Sequence, residues 1–348
     1  MSTPEAAPSS ILVSMSIEAT VFKGSADGAI VEAKVQRDPP KGTQVLVKIT
    51  HSGICGTDEH FKTCDMVLGH EGVGKVMEIG DSVTKFKTGD VVGWGYIHKT
   101  CGKCHQCLLG DDQYCEDKEM YGTHHFDQGS FGSNAVWDES FLFLIPPEIA
   151  PEHAAPLMCG GATVFEVIET YNLRPTERVG VVGVGGLGHM AIEFLSKMGA
   201  AVVVFSSTDN KREEAMRLGA SEFHATKGLS KFEGVKPLDH LLITTSFIPD
   251  WTPYIRIMRP RGGIFPLTVT DGNLVIPSTP VLTWGITIQG TAVASRTVHE
   301  SMLDFAARNH IKPMVECFPM TKAGVEEGMA RLREGKMRYR GVLVAPSE

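Results

Sequence analysis

Hydrophobic and polar positions along the chain follow two different periods, and the change between them divides the sequence. From Ile17 to about Val92, short runs of alternating or apolar residues are separated by Gly, Pro and Asp, as in Gln44–Ile49 and in Gly72–Ile79. This pattern is typical of β-strands joined by tight turns. Residues 93–135 are loop-like and rich in Cys, Gly and His. The first part of the chain is therefore predicted to be β-rich and to carry an irregular lobe.

Near Pro151 the pattern changes to strands that alternate with helices. The predicted strands are Arg178–Val184, Ala201–Phe205, Leu241–Thr244 and Gly263–Leu267, and the helices between them are Gly188–Met198 and Lys211–Leu218. Such alternation indicates a parallel sheet covered by helices. After about Arg296 the pattern predicts two amphipathic helices and a last strand, at Val298–Arg308, Lys322–Glu334 and Tyr339–Val344.

Length and charge restrict the possible functions. A chain of 348 residues suggests two domains. Its 33 basic and 41 acidic residues give a net charge of −8, which argues against a nucleic-acid partner. No apolar stretch is long enough to span a membrane, and the polar start MSTPEAAPSS lacks the features of a signal peptide. Eight cysteines without a signal favour a reducing compartment, so we expect a cytoplasmic protein.

Four cysteines lie close together in the run CGKCHQCLLGDDQYC. Cys101, Cys104, Cys107 and Cys115 have the spacing C-x2-C-x2-C-x7-C. Four thiolates complete a tetrahedral zinc site and leave no open position, so this metal would stabilise a loop. An iron–sulfur cluster is an alternative, although the last gap of seven and the missing proline disfavour it. Unliganded cysteines are a second alternative.

A glycine-rich turn follows the strand that ends near Val184. Gly183, Gly185, Gly186, Leu187 and Gly188 belong to a G-x-G-x-x-G string that opens a helix, which is the context a dinucleotide-binding turn requires. In such turns the second glycine admits the pyrophosphate and the third allows close helix–strand packing. An ordinary glycine turn is the alternative interpretation.

The next strand favours NADP(H) over NAD(H). An NAD site needs an Asp or Glu at the end of this strand, but here Ser206 and Ser207 follow it, with Lys211 and Arg212 close behind. Between the end of this strand at Phe205 and Asp209 there is no carboxylate. Hydroxyls and two cations suit a 2′-phosphate. A capped helix with a solvated first turn is the alternative.

Three further residues could form a second, open metal site. Cys55, His70 and Cys159 would supply two thiolates and one imidazole, and such a set leaves a fourth position for water or substrate. Their spacing alone does not join them, because each could equally be a buried cysteine or a capping histidine.

The chain resembles the zinc-dependent medium-chain alcohol dehydrogenases, and within them the cinnamyl-alcohol-dehydrogenase branch. The resemblance covers nearly the whole chain and rests on these segments: GICGTDEH (53–60), GHEGVGKV (69–76), the four-cysteine run, QGSFG (128–132), AAPLMCGGATVF (154–165), GVGGLGHMAIEFLSKMGA (183–200), SSTDNKREEAMRLGA (206–220) and MRYRGVLV (337–344). It implies an α/β protein with a GroES-like β-rich catalytic domain, residues 1–160 and 298–348, whose structural zinc lobe spans about 93–120. A Rossmann domain with a doubly wound parallel sheet would span 161–297.

The resemblance also implies a role for each matching residue. Cys55, His70 and Cys159 would bind the catalytic zinc, and Glu71 is a carboxylate that can approach the metal. Asp58 would orient His70, as carboxylates beside ligand histidines usually do. The four clustered cysteines would bind a second, structural zinc.

The remaining implied roles concern the proton, the cofactor and assembly. Thr57 and His60 would relay a proton from the alcohol oxygen to solvent, and Thr163 would lie near the nicotinamide. Ser206, Ser207 and Lys211 would contact the 2′-phosphate of NADP(H). Ile286–Val293 resembles the strand that pairs across a two-fold axis, so we expect a homodimer. The reaction would interconvert an alcohol and an aldehyde or ketone, with a small molecule as substrate.

Several positions differ from the family pattern. The link 61–69 is several residues shorter than in most relatives, and Met120 and Ala292 replace aromatic residues, so a substrate bulkier than a cinnamyl aldehyde is expected. Trp94, Tyr121 and Trp284 line the pocket or simply pack. The remaining residues of interest are assigned no metal: Cys64 as a plain thiol, Cys317 as a core residue, and His124 and His125 as loop residues.

Two other functions stay open at this stage. The same fold could reduce an activated C=C or iminium group with NADPH, although the Thr57 and His60 pair argues against that chemistry. A non-catalytic, zinc-stabilised binding protein is the other alternative, and the retained open-site ligands argue against it.

Overall fold

Two large β-sheets organise the protein. The computed structural model describes residues 16–267, 269–270 and 272–346, and the predicted lead-in MSTPEAAPSS lies outside them. The strands of the described part, in chain order, are β1 (Ile17–Lys23), β2 (Val31–Arg37), β3 (Gln44–Ile54), β4 (Gly72–Ile79), β5 (Val91–Trp94), β6 (Ile97–Lys99), β7 (Glu119–Met120), β8 (Asn134–Asp138), β9 (Phe143–Leu144), β10 (Arg178–Val182), β11 (Ala201–Ser206), β12 (Glu222–Ala225), β13 (Leu238–Ile243), β14 (Met258–Pro266), β15 (Thr287–Ile288), β16 (Val315–Pro319) and β17 (Arg340–Val344).

Helices cover these sheets and connect their strands. In chain order they are α1 (Gly56–Phe61), α2 (His105–Leu109), α3 (Pro151–Pro156), α4 (Ala162–Thr170), α5 (Gly188–Met198), α6 (Arg212–Arg217), α7 (Thr252–Ile255), α8 (Ser278–Trp284), α9 (Arg296–Asn309) and α10 (Lys322–Arg333). No helix in this part of the chain is long and apolar enough to cross a membrane.

The first large sheet has seven strands and joins the two ends of the chain. Its order is β16-β17-β3-β4-β5-β9, with β8 paired to β3. The pairs are antiparallel apart from β16 with β17. Strand β17 lies beside β3, with Gly341 opposite Ile54. A core that includes Trp94, Phe131 and Trp137 fills the space on this sheet, so the predicted β-rich region is confirmed.

The second sheet is parallel throughout, as the alternating pattern predicted. Its six strands have the order β12-β11-β10-β13-β14-β15. When the six strands are numbered in chain order, this is the strand order 3-2-1-4-5-6 of a Rossmann fold. The order in which successive strands are added to the sheet changes side between β10 and β13. The α/β fold class is therefore confirmed. The domain limits 1–160, 298–348 and 161–297 stay a prediction.

Two elements near this sheet differ from the sequence prediction. The strand expected over Ile286–Val293 covers only Thr287–Ile288 at the sheet edge, because among the described residues no strand beyond β15 extends its pairing. Helix α9 begins at Arg296, two residues before the predicted Val298. Ser295 caps it by accepting a hydrogen bond from the Val298 amide, and a polar first turn carries no apolar periodicity that could mark its start.

The helical stretch from Pro151 to Thr170 is interrupted by a π-helical segment that the sequence analysis did not predict. Between α3 and α4 the segment Leu157–Gly161 is π-helical. Pro156, which lacks an amide hydrogen, precedes the segment, and Gly160 and Gly161 end it. Gly160 also packs closely, since a Cβ there would lie 2.6 Å from the Met190 methyl carbon. Such single π-turns are common at functional sites, and Cys159 lies within this one.

Candidate metal and cofactor site

Three separate segments bring four metal-binding side chains together. Cys55 follows β3, His70 and Glu71 precede β4, and Cys159 lies in the π-helical turn. The antiparallel pairing of β3 with β4 sets the first two segments side by side. One ligand atom from each of the four side chains lies within 4.8 Å of the other three. The sequence could associate these residues only through the family resemblance.

A buried carboxylate fixes the orientation of the histidine in this cluster. Asp58 is fully buried and lies 3.0 Å from Nδ1 of His70. Its oxygens also accept hydrogen bonds from the amides of Cys55 at 2.8 Å and Gly69 at 3.3 Å, and from the Tyr121 hydroxyl at 3.0 Å. Nε2 of His70 is buried and has no hydrogen-bond partner. The network therefore presents Nε2 as a free electron-pair donor.

A buried ion pair connects the cluster to strand β17 of the first sheet. Glu71 pairs through Oε1 with the guanidinium of Arg340 on β17, while Oε2 has no hydrogen-bond partner among the residues that the structure describes. Arg340 also borders the glycine-rich turn, because a Cβ at Gly186 would lie 3.1 Å from its Cδ. Sequence reasoning assigned Arg340 no role. The signal was an arginine inside the otherwise apolar strand RGVLV.

The buried side chains of the cluster compete for protons. Hydrogen bonding between the two sulfurs holds the pKa of Cys55 well below its usual value and raises that of Cys159 well above it, so that one proton is shared. Burial raises the pKa of Glu71 to about 7, against the opposing effect of Arg340. A bound cation would remove this competition because it stabilises both thiolates.

The donor set fits a zinc ion. Two thiol sulfurs and one oriented imidazole nitrogen form the Cys2His combination that zinc binds with a fourth position left open. Nε2 of His70 and Oε2 of Glu71, which have no hydrogen-bond partner among the described residues, are the atoms that a metal would contact. Cys55, His70 and Cys159 are thus suited to hold the ion, with Glu71 in reach.

The four-cysteine run forms a second cluster. Its four sulfur atoms all lie within 4.8 Å of one another. Sulfur–sulfur distances are 4.0 Å for Cys101 to Cys107, 3.5 Å for Cys104 to Cys107 and 3.6 Å for Cys115 to Cys101. A tetrahedron with Zn–S bonds of ~2.3 Å has edges of about 3.8 Å. The spacing of these sulfurs therefore suits one tetrahedral ion with no open position.

The glycine-rich turn follows β10, at the point where the strand order of the parallel sheet changes side. Gly183 has φ +96°, which favours glycine, and a Cβ on Gly188 would lie 1.9 Å from the Gly183 carbonyl oxygen. A Cβ on Gly185 would meet nothing within 4 Å, so the turn has open space there. Leu187 caps α5. This arrangement fits a dinucleotide pyrophosphate above the start of the helix.

The residues predicted to select the cofactor occupy different positions. Ser206 ends β11 and is half-buried, and Ser207 after it is exposed. Nζ of Lys211 donates to the Val184 carbonyl at 2.5 Å, within the glycine-rich turn. Arg212 instead bonds Asp209 at 2.7 Å and the Phe223 carbonyl at 3.0 Å. These bonds engage its guanidinium in the structure, and its predicted phosphate contact stays a prediction.

The predicted proton route starts beside the metal cluster. Oγ1 of Thr57 lies 3.8 Å from the Cys55 sulfur, and Thr57 is half-buried. His60 is exposed three residues later on the same helix, α1. Thr163 lies on α4, one turn after Cys159, and is half-buried.

The residues predicted for the pocket differ in burial, and their role in a pocket stays a prediction. Trp94 is fully buried, its ring centroid lies 5.3 Å from that of Trp137, and both rings pack in the core of the first sheet. Tyr121 is buried as well, and its hydroxyl donates a hydrogen bond to Asp58. Met120 is half-buried in β7, whereas Ala292 is exposed after β15. An apolar pattern cannot distinguish a core aromatic residue from a pocket residue.

Four cysteine and histidine residues assigned no metal occupy the surface. Cys64 is exposed, and Cys317, which was predicted to be a core residue, is exposed on the edge strand β16. His124 and His125 lie in a loop, as predicted, and His125 bonds Glu119 at 2.5 Å. Trp284 is likewise partly exposed, on α8.

The shortened link 61–69 is covered by this same loop. The Val67 amide donates to the Phe126 carbonyl at 2.7 Å, and a Cβ on Gly129 would lie 2.3 Å from the Leu68 carbonyl. Phe61 packs against Gly122 in the same way, since a Cβ there would lie 2.1 Å from its ring. The loop therefore occupies part of the space that a shorter link leaves.

Comparisons with known proteins agree with this geometry. Residues 41–147 match the alcohol dehydrogenase GroES-like domain and residues 186–308 match the zinc-binding dehydrogenase family. The chain belongs to the zinc-dependent alcohol dehydrogenase family. Within it, the chain is similar to a probable cinnamyl alcohol dehydrogenase of Populus deltoides, 34% identical over 86% of this chain and 87% of that one.

Further relatives extend the similarity over more of the chain. An NADP-dependent alcohol dehydrogenase of Mycolicibacterium smegmatis is 31% identical over 92% of this chain and 95% of its own. The structure of a cinnamyl alcohol dehydrogenase from Sorghum bicolor matches with a TM-score of 0.88 and 31% identity, over 94% of this chain and 98% of that one. The predicted resemblance to this branch is confirmed.

We predict about two zinc ions per chain, because one ligand set is closed and the other is open. Elemental analysis of the purified protein measures this number. Cys101→Ser is expected to retain about one zinc and to unfold at a lower temperature, whereas Cys159→Ser is expected to lose the other ion. A brown protein with iron and acid-labile sulfide would contradict the assignment.

Proposed function

We propose that the protein is an NADPH-dependent zinc alcohol dehydrogenase that mainly reduces aldehydes or ketones. The observation that supports it best is the incomplete Cys2His cluster beside a dinucleotide-type turn, with Arg340 in contact with both. In this assignment Cys55, His70 and Cys159 hold the catalytic ion and the four-cysteine lobe holds a structural one. We also propose a cytoplasmic enzyme whose substrate is a small molecule.

The bound groups would supply the reactive chemistry, and the protein supplies their geometry. When bound, zinc acts as a Lewis acid on the carbonyl oxygen, and NADPH provides the hydride. Asp58 keeps the His70 tautomer that leaves Nε2 free. Arg340 balances the charge of Glu71, so that this buried carboxylate adds no uncompensated negative charge beside the thiolates.

Thr57 and His60 are proposed to deliver the proton to the substrate oxygen. Thr57 is close to the cluster, at 3.8 Å from the Cys55 sulfur, and half-buried. His60 lies one turn away on α1 and is exposed, so it can exchange protons with solvent. A hydroxyl that links a buried site to a surface imidazole is a suitable path for general acid catalysis.

NADP(H) is the proposed cofactor because the end of β11 carries hydroxyls instead of a carboxylate. Ser206 and Ser207 follow the strand, and Lys211 is held at the glycine-rich turn by its bond to Val184. A relative named NADP-dependent and a cinnamyl alcohol dehydrogenase from Helicobacter pylori complexed with NADP(H), 25% identical with a TM-score of 0.86, support this assignment.

Replacing Ser206 with Asp should shift the preference from NADPH toward NADH, because a carboxylate repels the 2′-phosphate and accepts the 2′-hydroxyl. We expect the KM for NADPH to rise at least tenfold and kcat to change little. Arg212→Gln serves as the control and should have a small effect, since Asp209 and Phe223 engage this guanidinium. A parent enzyme that uses NADH as efficiently as NADPH would overturn the cofactor assignment.

The proposed substrate is bulkier than a simple phenylpropanoid aldehyde. Met120 and Ala292 carry smaller or more flexible side chains than the aromatic residues of relatives, and a wider cleft orients a small aldehyde poorly. The loop over the link 61–69 refills part of the space on that side, so the enlargement is expected mainly around Ala292.

NADPH oxidation across a size-graded series of aliphatic, aromatic and polycyclic carbonyls tests both the reaction and the substrate. Catalytic efficiency should rise with size, and Ala292→Phe should lower it for large carbonyls about tenfold while small ones are spared. A steady fall from acetaldehyde-sized to polycyclic substrates would refute the size proposal. Turnover of enones without any turnover of carbonyls would replace carbonyl reduction by C=C reduction, and no turnover at all would favour a binding protein.

We propose that the protein is a homodimer. Strand β15 lies at an edge of the parallel sheet and exposes one side for pairing, and exposed apolar side chains on α8, notably Leu282, lie near it in sequence. Light scattering at micromolar concentration should give about twice the chain mass. A monomer there would contradict the proposal.

A further inference from the structure

A buried carboxylate joins the four-cysteine lobe to the helix that carries Cys159. Glu166 lies on α4 and is only 1% exposed. Its Oε1 accepts hydrogen bonds from the Gln113 side chain at 2.9 Å and from the Thr170 hydroxyl at 2.9 Å. Its Oε2 accepts one from the Ser295 amide at 3.3 Å. Two segments outside α4, those of Gln113 and Ser295, therefore converge on one side chain.

On the lobe side, the contacts come from the turn that precedes the last zinc-type ligand. Gln113 and Asp112 belong to the 3-10 turn Asp112–Tyr114, which Cys115 follows directly. Asp112 is also buried, and it accepts a bond from the Arg296 amide at 3.2 Å and pairs with the Arg296 guanidinium. Two neighbouring side chains thus attach the lobe to α4 and to the start of α9.

On the side of the open cluster, both attachments lead to Cys159. Glu166 follows Cys159 by seven residues, about two helical turns, and so lies on a similar face. Helix α9 reaches the residue before Cys159, because Nε2 of His299 lies 3.3 Å from the Met158 carbonyl oxygen. Gly95 packs against the same oxygen, since a Cβ there would lie 2.4 Å from it. Helix α9 therefore contacts the π-helical turn itself, and Glu166 lies on the helix that continues from it.

A role as a simple helix cap does not account for Glu166. The Ser295 hydroxyl already caps α9 by accepting from the Val298 amide at 3.3 Å. Burying a carboxylate costs desolvation energy that a neutral side chain would avoid. Both carboxylate oxygens accept hydrogen bonds, so a glutamine here would place its NH2 group against one set of these donors. The carboxylate is thus matched to its three donors, and one of these donors comes from the lobe.

We propose that Glu166 is a positioning residue that couples the four-cysteine lobe to Cys159, so that the metal-loaded lobe slows metal loss from the open Cys2His site. The inference rests on the two zinc sites of the proposed function but does not depend on the substrate. An ordered lobe keeps Gln113 and Asp112 in place, and these hold α4 and α9, which fix the π-helical turn. A lobe without its metal would release this restraint.

The test measures zinc release to an excess of chelator from the purified, zinc-loaded full-length protein, without any substrate. The wild type, Glu166→Gln, Cys101→Ser and the double variant form a cycle, and Cys159→Ser identifies the release phase that belongs to the lobe. Glu193→Gln is the matched control, because Glu193 is also a carboxyl whose pKa is raised by burial and which accepts from a backbone amide, that of Lys312. It makes no contact with the lobe among its described hydrogen bonds.

We expect zinc to leave the open site roughly tenfold faster in Glu166→Gln and in Cys101→Ser, the size typical of losing a residue that supports a metal ligand. The double variant should release it no faster than Cys101→Ser alone, because both changes break one link. Effects that multiply, or a Glu166→Gln rate equal to that of Glu193→Gln, would overturn the coupling. If Glu166→Gln does not fold, Gln113→Asn, whose side chain is too short to reach the carboxylate, takes its place under the same criteria.

These outcomes separate the coupling from the enzymatic assignment. Carbonyl turnover with independent zinc release would refute only the coupling, whereas coupled release without any turnover would refute only the reaction. A wild-type protein that holds fewer than two zinc ions would contradict both.

Discussion

The buried ion pair between Glu71 and Arg340 is the interaction on which the arrangement of the site depends. It joins the start of β4 to β17 inside the protein, and Arg340 at the same time borders the glycine-rich turn of the parallel sheet. A buried ion pair stabilises the fold only when its geometry and its other contacts offset the desolvation of both ions. Here the arginine also balances charge next to two thiols, and this makes the carboxylate tolerable beside the metal cluster. The pair thereby ties the metal cluster to the cofactor turn.

Orientation of the metal ligands depends on a hydrogen-bonded network centred on Asp58, which is not itself one of the assigned ligands. Asp58 accepts from His70, from the Cys55 amide and from Tyr121, so that one side chain adjusts two ligands and an aromatic residue together. Because these contacts are all buried, each would leave an unsatisfied polar group if it were lost. The network therefore orients the ligands that flank β3 and β4, and the π-helical turn between α3 and α4 adds Cys159 to the cluster.

The sequence predicted what is local and missed what is assembled across the fold. The four cysteines of the lobe and the glycine-rich turn lie within short runs, so their spacing and flanking strands were sufficient. Cys55, His70 and Cys159 came from the family resemblance, because the pairing of β3 with β4 and the position of the π-helical turn bring them together, and the spacing shows neither. Arg340, Tyr121 as a partner of Asp58, and Glu166 were not predicted because their contacts also join segments that are distant in sequence. Trp94 was left between packing and a pocket because an aromatic residue beside a glycine has the same pattern in both.

The position of Arg340 in the chain has a consequence for biosynthesis. Glu71 and Arg340 are 269 residues apart. At a translation rate of roughly 5–20 residues per second, about 13–54 s pass between the appearance of the two on the ribosome. Cys55, His70, Glu71 and Cys159 are all synthesised before Arg340. The carboxylate of Glu71 therefore gains its buried counter-ion only near the end of synthesis, after the side chains suited to hold the ion are already present.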